Sequence, residues 1–263
     1  MKVIINNRSL ISVKGSDAQS FLQSQLTNDI NNLEEKKVQI NAYCQHQGKI
    51  LAILWVIKLS DTYMLIVPKE LSMLIIEKLN LYKFMSDVSF QDLTKEFFLY
   101  GLIDEEIPDS FRLARNMDIL LSKEEVNSMD YELWERDCIE RMIPEVLQIT
   151  SEKFIPQALN LDIAEFGVSF TKGCYPGQEV VARMHYLGEP KRRLFRFTSR
   201  FEVLVGDSLD VTDSKSLKSS GQVIRAVMVD GEFHFLGVFE VNYINDKIFL
   251  NKDQNKLVSI IHE

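Results

Sequence analysis

Hydrophobic and polar positions in the first hundred residues follow the two-residue repeat of strands, interrupted twice by the longer repeat of helices. Short apolar runs between turn residues predict strands at residues 3–5, 10–13, 39–44, 50–59, 62–67, 88–93 and 97–103. Asp17 is placed to cap a helix whose apolar residues include Phe21 and Leu26. A second helix is predicted over residues 68–81. The pattern predicts an α+β fold of antiparallel sheets with helices.

The middle of the chain gives a weaker pattern. Residues 112–121 are mixed, and residues 123–126 predict a short helix. Residues 131–143 fit either a helix or a strand, and neighbours such as Glu132 and Leu133 favour the helix.

The sequence pattern changes after Arg193. Short segments in which apolar and polar residues alternate follow one another, and no convincing helix is predicted among them. Strands are predicted at residues 194–203, 222–229, 233–239 and 247–250, separated by glycine- or asparagine-containing turns. This succession predicts a small antiparallel β-barrel. We place a domain boundary near Lys191, between a region of residues 1–190 and a barrel of residues 191–263. The polar run at residues 214–220 is interpreted as one loop.

Composition is that of a globular chain large enough for two domains. Of 263 residues, 46% are hydrophobic and 26% are charged. No apolar run reaches the roughly 18–20 residues that a membrane span requires, and the first residues fit a strand, so we expect a cytoplasmic protein. The three cysteines are too few and too far apart to predict a disulfide framework.

One cysteine lies in a run of unusual chemistry: Lys172-Gly173-Cys174-Tyr175-Pro176-Gly177-Gln178-Glu179, followed by Val180-Val181-Ala182-Arg183. The glycines permit a tight turn, and the proline and valines predict that a helix begins there. Cys174 would precede the helix N-terminus, where the dipole and Lys172 favour a thiolate and Glu179 opposes it. The alternative is a small residue that merely fits beside glycine.

This run, followed by Val-Ala-Arg, resembles the hallmark of the YgfZ family. These are folate-binding proteins related in fold to the aminomethyltransferase of the glycine cleavage system. Other segments that resemble the family, in sequence order, are residues 15–29, 44–50, 134–144, 154–162 and 188–193. The resemblance spans nearly the whole chain and is strongest between Trp134 and Arg193.

The resemblance implies an aminomethyltransferase-like folate-binding fold followed by the C-terminal barrel, with tetrahydrofolate or a related folate as ligand. The implied folate contacts are Trp134, Glu140, Tyr175 and Arg183. The implied functional group consists of the Cys174 thiol with Lys172, Gln178 and Glu179. Glu140 would accept two hydrogen bonds from the aminopyrimidine edge of the folate. Trp134 would stack against the flat pterin ring. The alternative is that Trp134 is an ordinary core tryptophan. We expect the Cys174 sulfur to be exposed at the mouth of a pterin-sized cavity.

The chain also departs from the family pattern. Met142 stands where a glycine often precedes Ile-Pro, and Arg8 stands where well-known members have a tryptophan. Related aminomethyltransferases use an aspartate just after their equivalent of Gly48-Lys49, but residues 50–53 here are all apolar. Folate binding is therefore favoured over folate turnover, and we expect an accessory protein rather than an enzyme.

The net charge of −8 does not indicate general nucleic-acid binding, although one stretch is strongly basic. This basic strip consists of Arg183, His185, Lys191, Arg192, Arg193, Arg196 and Arg200. It could bind phosphate, a folate glutamate tail or RNA, or it could be a solvated helix end and strand edge.

Three hypotheses follow for the function. The resemblance implies a folate-binding accessory protein for the assembly or repair of iron–sulfur enzymes, including those that modify tRNA. The partners would be these enzymes or their assembly factors, with Cys174 either reacting as a thiol or ligating a shared cluster. The alternatives are a tetrahydrofolate-dependent one-carbon transferase and a tRNA-binding module that uses Lys191, Arg192 and Arg193. No metal site within the chain is predicted.

Overall fold

Two antiparallel sheets and a closed barrel contain the strands of the computed structural model, which describes residues 1–212 and 219–261. The loop predicted at residues 214–220 lies outside the described residues, apart from Ser219 and Ser220. The arrangement confirms the predicted α+β fold with a C-terminal barrel.

In chain order the elements are β1 (Lys2–Ile4), β2 (Arg8–Lys14), α1 (Ala18–Gln25), β3 (Gln39–Cys44), β4 (Ile50–Leu59), β5 (Thr62–Pro68), α2 (Ser72–Lys83), β6 (Ser89–Asp92), β7 (Phe98–Ile103), β8 (Phe111–Ala114), β9 (Met117–Ser122), α3 (Tyr131–Glu140), α4 (Gln178–Leu187), β10 (Arg192–Ser199), β11 (Ser208–Val211), β12 (Gly221–Val229), β13 (Glu232–Glu240), β14 (Ile248–Leu250) and β15 (Leu257–Ile261). Short 3-10 turns occur at Ile30–Asn32, Lys69–Leu71, Pro156–Leu159, Ile163–Glu165 and Val241–Tyr243.

The first sheet has the strand order β3-β4-β5-β2-β6 and is covered on both faces. Along β4, Leu54 and Val56 pack with α1 and α2, whereas Ile53 and Trp55 join the core shared with the second sheet and α3. Because both faces of β4 are buried, its sequence is an almost continuous apolar run. The hairpin of β3 and β4 was predicted and is confirmed.

The second sheet has the order β1-β7-β9-β8 and packs against α3. Helix α3 confirms the helical interpretation of residues 131–143, although it ends at Glu140. The short helix predicted at residues 123–126 is wrong, since this segment is irregular. Four residues give too few hydrogen bonds to offset helix nucleation without tertiary support.

The barrel closes in the order β10-β13-β12-β11-β14-β15. Strand β13 pairs over eight residue pairs with each neighbour, with β10 from Arg192–Glu240 to Ser199–Phe233 and with β12 from Gly221–Phe239 to Val229–Glu232. The sequence pattern did not predict β11 or β15, and it extended the first strand beyond Ser199. The barrel begins at Arg192, and the division into residues 1–190 and 191–263 stays a prediction.

In the ranges described, no helix is both long enough and apolar enough to cross a bilayer.

Candidate functional site

The loop that carries Cys174 lies directly against the turn between β3 and β4. Gly48 and Gly177 both have left-handed backbones, with φ of 74° and 81°. A Cβ added to Gly177 would lie 2.6 Å from the Gln45 carbonyl oxygen and from Gly48 Cα. Only glycine permits both the backbone conformation and this approach, so the hairpin turn fixes the beginning of α4.

Lys172 attaches the other end of the loop to the segment after α1. Its Nζ donates hydrogen bonds to the carbonyl oxygens of Leu26 at 2.6 Å and Asn28 at 2.9 Å. It also lies 5.4 Å from the centroid of the buried Tyr175 ring. Burial lowers the pKa of Lys172 to about 8, and the carboxylate of Asp29 acts in the opposite direction. The ammonium therefore fixes the loop through carbonyl groups.

Two further hydrogen bonds hold the chain on either side of the cysteine loop. Gln157 Nε2 donates to the carbonyl oxygen of Val181 in α4 at 2.7 Å. Thr27 Oγ1 donates to the Gly167 carbonyl oxygen at 2.6 Å. Three segments that are distant in sequence, at residues 26–28, 45–48 and 157, thus hold the cysteine loop and the beginning of α4.

The three cysteines differ sharply in environment. Cys174 is exposed, whereas Cys44 and Cys138 are buried. Burial raises the pKa of the Cys44 thiol strongly and that of Cys138 to about 12, so both remain protonated near neutral pH. Five cavities of about 190 to 520 Å³ have lining residues elsewhere, and Cys174 lines none of them.

Two residues beside Cys174 occupy the start of α4. Gln178 Nε2 donates weakly to the Gly173 carbonyl oxygen at 3.4 Å, closing the loop on itself. Glu179 is exposed in the first turn of α4, where a carboxylate interacts favourably with the helix dipole. Arg183 is exposed one turn further along α4.

Trp134 is completely buried, so it is not accessible for the expected stacking contact with a pterin ring. Its ring packs against Trp55 with centroids 6.3 Å apart, and it fills the space that a side chain at Gly101 would occupy. The ring faces inward because Trp134 lies on the side of α3 that covers the second sheet. The structure therefore gives it the packing role that the sequence left as the alternative.

Glu140 has the opposite environment at the C-terminal end of α3. Its side chain is 49% exposed, and its nearest cation is Arg136, whose Nε lies 3.7 Å from Glu140 Oε1. Arg196 of β10 donates to the Glu140 carbonyl oxygen at 3.4 Å. Among the described residues no hydrogen bond reaches the Glu140 carboxylate, so both of its oxygens are available to a ligand. No hydrogen bond or ion pair in this part of the chain joins Glu140 to the cysteine loop.

Two arginines of the basic strip are occupied inside the protein. Arg193 forms two bonds with the Asp162 carboxylate, at 2.6 and 3.1 Å. Arg192 pairs with Glu240 at 3.0 Å. Lys191 is exposed. The strip is therefore less available to an anion than its sequence indicates.

A network of buried ion pairs, which the sequence did not predict, lies where the barrel contacts α3. Arg225 of β12 donates to Glu135 at 2.5 Å and lies 3.6 Å from Glu145, which also pairs with Arg8. The Arg8 guanidinium stacks 3.6 Å above the Trp55 ring. A single charged residue in a mostly apolar strand, as at Arg225, was the available signal for a buried ion pair.

No family model matches the chain. An uncharacterized protein of Haemophilus influenzae is 35% identical, covering 87% of this chain and 85% of that protein. The tRNA-modifying protein YgfZ of Hamiltonella defensa is 28% identical over 99% of this chain and 89% of its own length. The tRNA-modifying protein YgfZ of Colwellia psychrerythraea is also 28% identical, covering 73% of this chain and 69% of that protein. The chain belongs to the YgfZ family. Of the segments that resemble the family, residues 15–29, 44–50 and 154–162 contribute contacts to the cysteine loop or to α4.

A solved structure agrees with this assignment at the level of fold. The glycine cleavage system aminomethyltransferase T of Bartonella henselae matches with a TM-score of 0.72, covering 100% of this chain and 84% of that one. The two sequences are 15% identical, so the similarity shows the fold alone. The expected aminomethyltransferase-like fold of this YgfZ family member is confirmed.

Proposed function

We propose that this protein is a folate-binding accessory factor in the assembly or repair of iron–sulfur enzymes, including enzymes that modify tRNA. It would act in the cytoplasm, with Cys174 as its functional thiol. The observation that supports this role best is the placement of Cys174. It is the exposed cysteine on a loop that the hairpin turn, Lys172 and Gln157 hold in position. A thiol that serves a partner must be both accessible and well positioned.

The folate would bind at Glu140. A half-exposed carboxylate that accepts no hydrogen bond from the described residues matches the parallel N–H groups of an aminopyrimidine edge, and such charge-assisted pairs are stronger than neutral ones. A bound tetrahydrofolate would supply a ring system able to carry one-carbon units. Because Trp134 is buried, it would support the helix that presents Glu140 instead of contacting the ring directly. Tyr175 and Arg183 stay proposed contacts.

A tetrahydrofolate-dependent transferase is the second candidate, and the aminomethyltransferase-like fold favours it. Against it, residues 50–53 at the start of β4 are apolar and buried, leaving no carboxylate to activate a folate nitrogen there. Folate-dependent release of a one-carbon unit by the purified protein would favour the transferase over the accessory role.

A tRNA-binding role is the third candidate, because curated relatives carry the name tRNA-modifying protein. Arg192 and Arg193 would first have to leave Glu240 and Asp162, so Lys191 and Arg183 are better placed to contact phosphates. Steep salt dependence of tRNA affinity, reduced by Lys191→Met, is the result that would support this role.

Genetic rescue tests the thiol. In a strain that lacks the protein, the Cys174→Ala variant should fail to restore the activity of an iron–sulfur tRNA-modifying enzyme. Gly173→Ala is the matched control, because a Cβ at Gly173 meets no atom within 4 Å and leaves the sulfur in place. Full rescue by Cys174→Ala would contradict the proposal.

Folate binding is tested separately by titration of the purified protein with tetrahydrofolate. Glu140→Gln should weaken binding by about tenfold or more, since it removes a charged acceptor. Glu132→Gln is the matched control, because Glu132 is exposed in the first turn of the same helix. Equal affinities of the two variants would remove Glu140 from the site.

A further inference from the structure

We propose that the exposed side of α4, which carries Arg183 and Tyr186, binds a single-stranded segment of RNA. One base would stack on Tyr186, and the neighbouring phosphates would contact Arg183 and Lys191. This inference rests on the tRNA-binding candidate function and commits to the unpaired nucleotides of a tRNA as the source of the segment. It does not depend on the proposed folate site at Glu140.

Most of α4 is open to solvent. Of its ten residues, Val181 is the one that is buried. At the C-terminal end of the helix, Tyr186 and Leu187 are 65% and 83% exposed. Two adjacent large side chains that the fold leaves in water form a surface that a partner can cover.

Three aromatic rings meet at this end of α4 and form an aromatic cluster of Phe170, His185 and Tyr186. Phe170 and His185 stack with their centroids 3.7 Å apart and an interplanar angle of 15°. The Tyr186 ring stands nearly perpendicular to both, 6.2 Å from Phe170 and 4.9 Å from His185. These contacts hold an exposed ring in place, so a flat base can stack on it at little cost in side-chain ordering. Stacking on aromatic side chains is how many proteins bind single strands.

Two cations of the basic strip lie beside the aromatic cluster and remain free. Arg183 lies three residues before Tyr186 and therefore on the same side of α4. Lys191 follows shortly after the helix ends at Leu187. Both cations are exposed, and in the described ranges neither side chain forms a hydrogen bond or an ion pair. Within residues 180–191 the only acidic residue is Glu189, so this face attracts phosphate groups.

A third cation lies beside the first turns of α4, on the turn between β3 and β4. A Cβ added at Gly48 would lie 3.1 Å from the Cβ of Val180, and Lys49 follows directly after this contact. Lys49 is half-buried, and its Nζ donates to the Lys153 carbonyl oxygen at 2.9 Å. Burial and the nearby positive charge of Arg192 both lower the pKa of Lys49. No carboxylate of the described residues pairs with Lys49, so a phosphate bound here would offset the repulsion between the two cations.

Fluorescence anisotropy measures the binding of a labelled single-stranded oligoadenylate and of the same strand annealed to its complement. The bases of a duplex are stacked on one another, so only the single strand can use the aromatic cluster. We expect the single strand to bind about tenfold more tightly than the duplex at equal salt. Because the duplex carries more phosphate charge, electrostatic attraction alone would give the opposite order. An unmodified tRNA transcript should displace the oligoadenylate, and failure to displace it would overturn tRNA as the source.

Variants of Tyr186 test the stacking contact. Tyr186→Ala should weaken single-strand binding by about tenfold and leave its salt dependence unchanged, since stacking neutralises no phosphate. Tyr186→Phe keeps the ring and should bind within about twofold of the wild type. Tyr82→Ala is the matched control, because Tyr82 is also partly exposed and also packs against a histidine, His46, but lies on α2. That control should bind like the wild type.

Removal of Arg183 tests the phosphate contact. Arg183→Met should reduce the slope of log affinity against log salt concentration by about 0.7, the change expected for one phosphate of a single strand. Arg115→Met is the matched control, because Arg115 is exposed at the turn between β8 and β9 and its replacement removes the same charge. That control should keep the wild-type slope.

The failures of this inference and of the proposed functions are distinguishable. If RNA binds, but the single strand and the duplex bind equally and Tyr186→Ala has no effect, this inference is overturned and the tRNA-binding candidate stands. If neither RNA binds at low salt, both fail, and the exposed side of α4 is left to a protein partner. The titration of Glu140→Gln with tetrahydrofolate is independent of either result.

Discussion

The three cysteine thiols of this chain differ in accessibility because two of them are buried and one is exposed. The side chains of Cys44 and Cys138 are 2% and 0% exposed, and burial disfavours the thiolate of each. Cys174 sits outside the core because two glycines and a proline keep its loop at the surface of the first turn of α4. The chemistry of each sulfur follows from where its backbone segment lies.

Alkylation should therefore modify one cysteine at a time. In the native protein at neutral pH, iodoacetamide should label Cys174 and leave Cys44 and Cys138 unmodified until the chain unfolds. Mass spectrometry of peptides after labelling, with and without urea, measures this directly. Native labelling of Cys44 at a rate similar to that of Cys174 would contradict the description of the core.

The two glycines that flank Cys174 should respond differently to the same substitution. Gly177→Ala places a Cβ 2.6 Å from backbone atoms of the hairpin turn at positive φ, so we expect a loss of about 1–3 kcal/mol in the free energy of unfolding. Gly173→Ala adds a methyl group in open space and should cost less than about 0.5 kcal/mol. Urea unfolding of both variants compares them. Equal losses would mean that the Gly177 contact does not constrain the loop.

At the level of elements, the sequence predicted what is local and missed what depends on distant partners. The β3–β4 hairpin and α3 have strong local patterns and are confirmed. The strand β15 was missed because its residues alternate weakly and are held by pairing with β10 and β14. The cysteine loop was identified by its residues, but its anchoring at Leu26 and Asn28 depends on a contact across 144 to 146 positions of the chain.

The anchoring of the loop by Lys172 should depend on pH in a defined direction. Its pKa is lowered from 10.5 to about 8, so between these values the folded protein releases a proton that the unfolded chain keeps. The free energy of unfolding of the wild type, minus that of Lys172→Met, should therefore rise from pH 8 to pH 10.5. The rise is expected to reach up to about 3 kcal/mol and is measured by urea unfolding at each pH.

Lys172→Arg supplies the control, because arginine keeps the positive charge and does not titrate in this range. The differences calculated with Lys172→Met and with Lys172→Arg should have the same pH dependence, even if their absolute values differ. A difference that falls as pH rises would show that the folded state favours the ammonium.

At the scale of the whole molecule, the barrel and the remaining chain are joined through buried charges. Arg225 of the barrel meets Glu135 of α3 and Glu145, and Glu145 pairs with Arg8 of the first sheet. The sequence shows each of these residues separately, but only the assembled fold brings them together. For the same reason the sequence identified Glu140 as a candidate and could not identify Arg136 and Arg196 as its neighbours.

Removing the buried cation Arg225 should lower the free energy of unfolding far more than removing Arg192, which is partly exposed. Arg225→Met leaves Glu135 buried with only the Tyr131 hydroxyl as a hydrogen-bond donor among the described residues, so we expect a loss of about 3–5 kcal/mol in the free energy of unfolding. Arg192→Met breaks the pair with Glu240, whose side chain is 24% exposed, and should cost at most about 1 kcal/mol. Urea unfolding of the two variants measures the difference.

A second substitution shows whether the cost comes from the isolated charge or from the loss of the pair itself. In the Arg225→Met and Glu135→Gln double variant the uncompensated carboxylate is gone, so much of the stability lost in Arg225→Met should return. A loss in the double variant as large as that in Arg225→Met would mean that the pair is net stabilising in this barrel. Recovery would instead show that the cost of Arg225→Met comes mainly from the buried Glu135 carboxylate left without its partner.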